Sequence, residues 1–181
     1  HYISDAHVPL HTTSNYNGQN TGQIGIHAFW ESRIPEMYEL SHFNSLPGRA
    51  EYISDLREFI WEIVFKSYHL VEEVLSREKQ ARSMVPENKH YCYEERGNNL
   101  VRTQCPELTE VYMKSMNGMV QDRWLSSIHA VGSVWYSAWV DAGQPDLWTD
   151  PLHAVPDSTG LLDRLWHKLD FLKGESRADV H

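Results

Sequence analysis

Apolar residues recur at steps of three and four along most of the chain, which is the spacing of an amphipathic helix. This spacing predicts a short amphipathic segment over residues 1–11 and helices over about 27–40, 51–80, 107–141 and 159–173. Polar stretches that contain glycine predict loops over 12–26 and 83–105. No stretch shows the sustained alternation of apolar and polar residues that is typical of a strand. The pattern therefore predicts an all-α fold, a multi-helix bundle.

The composition predicts a soluble globular domain that extends over residues 1–181 as a single unit. The chain has 181 residues, of which 41% are hydrophobic, and no apolar run approaches the roughly 20 residues that cross a bilayer. We therefore expect no transmembrane segment. The formal net charge of −9 argues against stable binding to duplex DNA, because proteins that bind the phosphate backbone carry clustered Lys and Arg. A phosphate ester that is held through a metal ion stays compatible with this charge.

The residues that indicate chemistry lie near the start of the chain. Two pairs with the spacing of one helical turn, His1-x3-Asp5 and His27-x3-Glu31, flank His11, which follows a Pro-Leu step. Side chains four residues apart share one face of a helix, so each pair can point at a common centre. The spacing favours a metal site. The alternative is an exposed helical pair at His1 and Asp5 and a histidine, His27, that makes only local hydrogen bonds.

Imidazole nitrogens and carboxylate oxygens are donors that zinc accepts, and three protein ligands with one open position are typical of a catalytic zinc site. His11, His27 and Glu31 would complete such a set. His1 and Asp5 would form half of a second site, in which the two oxygens of Asp5 can bridge two metal ions.

The strings HYISDAHVPLHTT and HAFWES resemble the core motif of the superfamily of zinc-dependent phospholipases C and single-strand-specific zinc nucleases. Members are all-α phosphodiesterases with three zinc ions and the pattern His-x3-Asp-x5-His, a variable loop, then His-x3-Glu or His-x3-Asp. The resemblance implies that His1 and Asp5 belong to the paired zinc site and that His11, His27 and Glu31 hold the remaining zinc. Glu at the last position is as in the phospholipase branch, which favours phospholipase slightly.

The resemblance covers about the first 33 residues. Family members take further ligands from an N-terminal Trp and from upstream His and Asp residues, and none of these precedes His1. We therefore expect the C-terminal part of a larger catalytic domain, with one fully liganded zinc site and a partner segment that carries the other ligands. Either the N-terminal half is a separate piece that supplies the missing ligands, or this processed or truncated chain is not a competent enzyme.

The function that the resemblance implies is hydrolysis of a phosphodiester, either a phospholipid headgroup or single-stranded nucleic acid, by metal-activated water. Asp5 is then the catalytic residue, because its carboxylate would hold two metal ions close enough to share the attacking water. The rival hypothesis is a helical module without catalytic activity that keeps one zinc site. A minor alternative is copper chelation by the amino group and imidazole of His1.

Three further features leave alternatives open. Cys92 and Cys105 either form a local disulfide, which would indicate an exported protein, periplasmic or extracellular, or stay reduced. Polar residues in the Trp-rich helix predicted over 107–141 either orient the histidine ligands or form ion pairs on the helix surface; these are Asp122, Arg123 and Asp141. Amides in the 12–26 loop either contact a phosphate or do not; these are Asn15, Asn17 and Gln19.

Overall fold

A computed structural model describes residues 1–37 and 47–147 of the chain. His1–Ala142 forms one compact unit, and a second unit begins at Gly143, of which residues 143–147 are described. The described helices of the first unit are α1 (Tyr2–Asp5), α2 (Ile26–Ala28), α3 (Ile34–Met37), α4 (Leu56–His69), α5 (Val71–Met84), α6 (Pro106–Ser115) and α7 (Met119–Asp141). The same residues also contain turns of 3-10 helix at Pro9–Thr12 and Glu87–Lys89 and a π-helical turn at Phe29–Arg33. The helix predicted over 159–173 lies outside the described residues.

The all-α prediction is wrong, because an antiparallel hairpin occupies most of the predicted loop 83–105. Strands β1 (Tyr91–Arg96) and β2 (Asn99–Gln104) pair from Tyr91 with Gln104 to Arg96 with Asn99. A two-residue turn at Gly97-Asn98 joins them, and Gly97 has a φ of +61°, which glycine adopts without strain. A disulfide between Cys92 and Cys105 ties the first strand to the residue after the second. The strands escaped prediction because they are short and do not alternate cleanly.

The two long helical runs are also divided. The run predicted over 51–80 begins only at Leu56, where the Asp55 carboxylate accepts a hydrogen bond of 2.9 Å from the Glu58 amide and caps α4. Leu70 separates α4 from α5. The run predicted over 107–141 breaks after α6, where Asn117 and Gly118 both have positive φ. Pro106 lies in the first turn of α6, where its missing N–H costs little.

The hydrophobic core lies where α5 and α6 pack against the segment from Ile26 to Met37. That segment contributes Ile26, Phe29, Trp30 and Ile34, each at most 2% exposed. The Tyr112 hydroxyl of α6 donates a hydrogen bond of 3.0 Å to the Val74 carbonyl of α5, so the buried phenol keeps a polar partner. The core thereby fixes the helix on which His27 and Glu31 stand.

Among the described residues, no helix has both the length and the apolar content needed to span a membrane.

Candidate metal centre

Three of the five predicted metal ligands converge. His11 Nε2 lies 3.3 Å from His27 Nε2 and 3.5 Å from Glu31 Oε2, and His27 Nε2 lies 2.7 Å from Glu31 Oε2. Donors about 2.0–2.1 Å from a shared zinc ion at a tetrahedral angle are about 3.3–3.4 Å apart. The two distances from His11 match this spacing, and the pair His27–Glu31 stands at hydrogen-bond distance. These three residues could hold a metal ion.

The other nitrogen of each ring is held by the backbone. His11 Nδ1 lies 3.1 Å from the Asp5 carbonyl oxygen, and His27 Nδ1 lies 3.3 Å from the Tyr16 carbonyl oxygen. A carbonyl only accepts, so each Nδ1 must carry the proton, and a neutral ring then presents the lone pair of Nε2. When both rings are neutral, two lone pairs and a carboxylate face one another; the 2.7 Å distance from His27 Nε2 to Glu31 Oε2 also fits a hydrogen bond from a protonated ring. This arrangement is satisfied by a cation, and it is the usual orientation of zinc-binding histidines.

The π-helical turn Phe29–Arg33 carries Glu31 one turn after His27. Such turns occur often at functional sites. The flanks of Glu31 are anchored: Phe29 and Trp30 are core residues, and Arg33 is nearly buried. Arg33 Nη1 donates a hydrogen bond of 3.0 Å to Glu94 of β1, and its Nε donates to the Gln104 carbonyl at 3.2 Å. The hairpin that the sequence did not predict thus braces the helix that presents Glu31.

The polar loop between His11 and His27 is braced by its own side chains. The Asn15 amide donates to Thr21 at 3.1 Å and its oxygen accepts from the Asn20 backbone at 2.8 Å. Asn17 accepts from the Gly25 backbone at 3.0 Å, and Gln19 donates to the Ser14 carbonyl at 2.6 Å. These contacts place Asn15, Asn17 and Gln19 inside the loop, and their predicted contact with phosphate stays a prediction.

Gln23 joins this loop to α5. Its amide nitrogen lies 2.8 Å from the Leu75 carbonyl and 2.6 Å from the Glu78 carboxylate, and both Gln23 and Glu78 are buried. Glu78 is also ion-paired with Arg82. The sequence offered no signal for this contact, because it joins positions 55 residues apart.

His1 and Asp5 form a separate pair on α1. His1 Nε2 lies 3.3 Å from Asp5 Oδ2, and the His1 side chain is 83% exposed. Within residues 1–37 and 47–147, these two side chains do not join the cluster of His11, His27 and Glu31. Asp5 contributes to that cluster through its backbone oxygen, which orients His11. Its proposed role as a bridging ligand is a prediction.

The segment that carries Asp5 and His11 is held from behind by two long helices. Arg123 Nε of α7 donates a hydrogen bond of 2.9 Å to the His7 carbonyl, and Ser67 Oγ of α4 donates one of 2.5 Å to the Ala6 carbonyl. Burial lowers the pKa of the His7 imidazole, and the positive charges of Arg123 and Lys66 lower it further. Arg123 therefore positions the segment by a hydrogen bond to its backbone.

Asp141, another polar residue of α7, accepts a hydrogen bond of 2.9 Å from the Tyr52 hydroxyl, away from the three ligands.

An open groove of about 450 Å³ borders the metal centre. Asp5 and His11 form one wall, and Val64, Phe65 and Tyr68 of α4 form the other. The side chains of His11, His27 and Glu31 are 27%, 28% and 38% exposed, so a ligand from solvent can reach them. The groove offers apolar surface beside His11, one of the three candidate metal ligands.

No known family model, no curated protein and no solved structure matches this chain.

Proposed function

We propose that this chain is the metal-bearing part of a zinc-dependent phosphoric-diester hydrolase. The observation that carries the proposal is the convergence of His11 Nε2, His27 Nε2 and Glu31 Oε2 while both Nδ1 atoms are held by backbone carbonyls. With both rings neutral, two nitrogen lone pairs and one carboxylate face one point, and a cation can bind there. Two imidazoles with one carboxylate are the donor set of several catalytic zinc sites.

The contacts of each residue indicate its role at the site. His11, His27 and Glu31 would hold the ion, and the carbonyls of Asp5 and Tyr16 keep the two rings oriented. When bound, zinc supplies Lewis-acid polarisation of a phosphoryl oxygen and makes water a stronger acid. The Asp5 carboxylate lines the same groove and is the residue that we expect to bind a neighbouring metal ion.

The groove supports a diester as the substrate class. A phosphodiester carries an organic group on each side of phosphorus, and the apolar wall of Val64, Phe65 and Tyr68 can receive one of them. A lipid chain and a nucleobase both suit such a wall. The Glu at position 31 favours a phospholipid slightly, on the resemblance stated above.

Elemental analysis of metal per chain tests the metal centre. The chain dialysed against zinc should keep one ion, His27→Ala should lose it, and His69→Ala should keep it. His69 is an exposed histidine of α4 outside the cluster, so it controls for the loss of an imidazole. Zinc retained equally by the two variants would rule out the cluster as the site.

Assays of the zinc-loaded chain on phosphatidylcholine vesicles and on single-stranded DNA test the activity. Hydrolysis of one substrate that His27→Ala abolishes and His69→Ala retains would support the proposal and identify the substrate. If the chain binds zinc at the cluster but hydrolyses neither substrate, even when combined with a segment that supplies the other expected ligands, the hydrolase proposal is wrong.

The second candidate is a helical module that binds one zinc ion without catalysis. It is favoured by the separation of His1 and Asp5 from the three-residue cluster within the described residues. It predicts one zinc ion per chain and no hydrolysis under any of these conditions.

We also propose that the protein is exported. The disulfide between Cys92 and Cys105 supports this, because disulfides form and persist mainly in oxidising compartments.

A further inference from the structure

Arg123 is a buried cation without a carboxylate partner. It is 9% exposed, and no ion pair of the described residues includes it. Its Nε donates to the His7 carbonyl and its Nη2 donates to the Ser67 hydroxyl at 2.6 Å. A guanidinium has five N–H groups, so three are left without a protein acceptor in this part of the chain. Buried charges are normally paired, because an unpaired one is costly. By contrast, Arg33 is paired with Glu94.

A cavity of about 440 Å³ opens beside this guanidinium, between α4 and α7. Arg123, Ser126 and His129 line it from one face of α7, and Lys66 lines it from α4. Lys66 follows Ile63 by three residues and precedes Ser67, which accepts from Arg123. Because Lys66 and Ser67 are neighbours in α4, the contact of Ser67 with Arg123 brings both cations to the same cavity. Their charges both act on His7, which forms part of the same wall.

The charge of this cavity distinguishes it from two others that Arg123 also lines. One of those, of about 190 Å³, contains Asp5 and Glu31, and the other, of about 360 Å³, contains Glu73 and Asp122. Among the described residues, no Asp or Glu lines the cavity that contains Lys66. Lys66 has no carboxylate partner among the described residues either. Arg123 and Lys66, which have no carboxylate partner among the described residues, therefore line the same cavity.

We propose that the cavity between α4 and α7 binds an oxyanion of the phosphate type, with Arg123 and Lys66 as its charged ligands and the Ser126 hydroxyl as a further donor. Guanidinium and ammonium groups bind phosphate oxygens through strong charge-assisted hydrogen bonds. The anion neutralises the buried guanidinium and uses its free N–H groups. This site does not depend on the proposed hydrolase activity, because it uses none of the three converging metal ligands.

Arg123 also contacts the short segment that lies between two of the predicted metal ligands. Arg123 binds the His7 carbonyl, and His7 lies between Asp5 and His11. An anion that fixes Arg123 therefore also fixes the backbone that presents His11. The same phosphate chemistry is offered by free phosphate and by a phosphate monoester, and the size of the cavity admits either.

Calorimetric titration at constant ionic strength tests the proposal, with inorganic phosphate in one arm and phenyl phosphate in the other. We expect saturable binding at one site, weakened about tenfold or more in Lys66→Gln, because a charged hydrogen bond is lost. Lys79→Gln is the matched control. Lys79 is an exposed lysine of α5 that lines none of the cavities described above, so this variant has the same net charge and should bind as the parent does. The tighter of the two arms identifies the ligand as free phosphate or as an ester.

The same titration on His27→Ala separates this site from an anion held at the metal centre. Binding should persist in His27→Ala. The proposal is overturned if neither anion binds saturably, if Lys66→Gln and Lys79→Gln weaken binding equally, or if His27→Ala abolishes it.

Discussion

At the scale of single residues, the metal centre depends on which atom of each side chain is left free. The carbonyls of Asp5 and Tyr16 lie at hydrogen-bond distance from the Nδ1 atoms of His11 and His27, so both Nε2 atoms face Glu31. Backbone carbonyls cannot be removed by substitution. The orientation of the rings is therefore a property of the chain path, and the ligand residues themselves are the positions to test.

Replacing Glu31 by Gln should weaken zinc binding by at least about tenfold, because the amide keeps the shape but loses the negative charge and the strong oxygen donor. Competition with a chromophoric chelator measures the affinity. Glu62→Gln, an exposed glutamate of α4 outside the cluster, should leave the affinity unchanged. Equal affinities of the two variants would show that Glu31 is not a ligand.

At the scale of elements, the loop between His11 and His27 is shaped by a glycine with a close neighbour. Gly18 has a φ of +74°, and a Cβ at this position would lie 2.4 Å from the Gln23 carbonyl oxygen. Gly22 has a similar φ of +73° but has no atom within 4 Å of a Cβ placed there. The two positions therefore share the left-handed conformation and differ in the steric contact that a Cβ would make.

Gly18→Ala should lower the free energy of unfolding by about 1–3 kcal/mol more than Gly22→Ala does. Both variants place alanine in the left-handed conformation, but only the Cβ of Gly18→Ala also clashes with the backbone. Urea denaturation of both variants gives the difference. Similar losses would mean that the loop shifts freely at Gly18, and zinc affinity should then be unaffected as well.

The hairpin is the second element on which the site depends, because it holds Arg33 beside the turn that carries Glu31. Its disulfide closes a short loop, with a sequence separation of 13 residues between Cys92 and Cys105. Cross-links of this length typically contribute about 2–4 kcal/mol, mainly by restricting the unfolded chain.

Reduction should therefore lower the free energy of unfolding by about 2–4 kcal/mol. Guanidinium denaturation with and without a reductant measures this loss. The double variant Cys92→Ala/Cys105→Ala should show the lower stability in both conditions, since it has no disulfide to reduce. A reductant effect that persists in the double variant would contradict the assignment.

At the scale of the whole molecule, contacts between distant parts of the chain hold the ligand-bearing segments. Gln23 anchors the loop to Leu75 and Glu78 of α5, while Arg123 and Ser67 hold the segment around His7. Since these contacts are buried, their loss should destabilise the fold and loosen the site together.

Gln23→Ala should reduce the free energy of unfolding by about 1–3 kcal/mol, because it leaves the Leu75 carbonyl and the Glu78 carboxylate without this donor in a buried place. Gln80→Ala, at an exposed position of α5, should stay within about 0.5 kcal/mol of the parent. Urea denaturation compares the two, and equal stabilities would show that the Gln23 contacts contribute nothing net.

Sequence alone predicted what depends on local spacing. The one-turn step from His27 to Glu31 and the helical segments of apolar residues are periodic signals, and the structure shows both. Prediction from the sequence failed at the helix breaks near Leu70 and Gly118 and at the hairpin, because short elements give weak patterns. The turn Gly97-Asn98 was a usable hairpin signal that the polar character of the stretch obscured.

The resemblance names His11, His27 and Glu31 as one ligand set, but only the tertiary structure shows how these three side chains meet. Two residues 16 positions apart, His11 and His27, reach hydrogen-bond distance because a braced polar loop folds back between them, and spacing carries no information on that path. The same limit applies to Arg123, whose partner His7 lies 116 residues away. Local periodicity determines helices, but the meeting of distant side chains depends on packing of the whole core, which no short segment encodes.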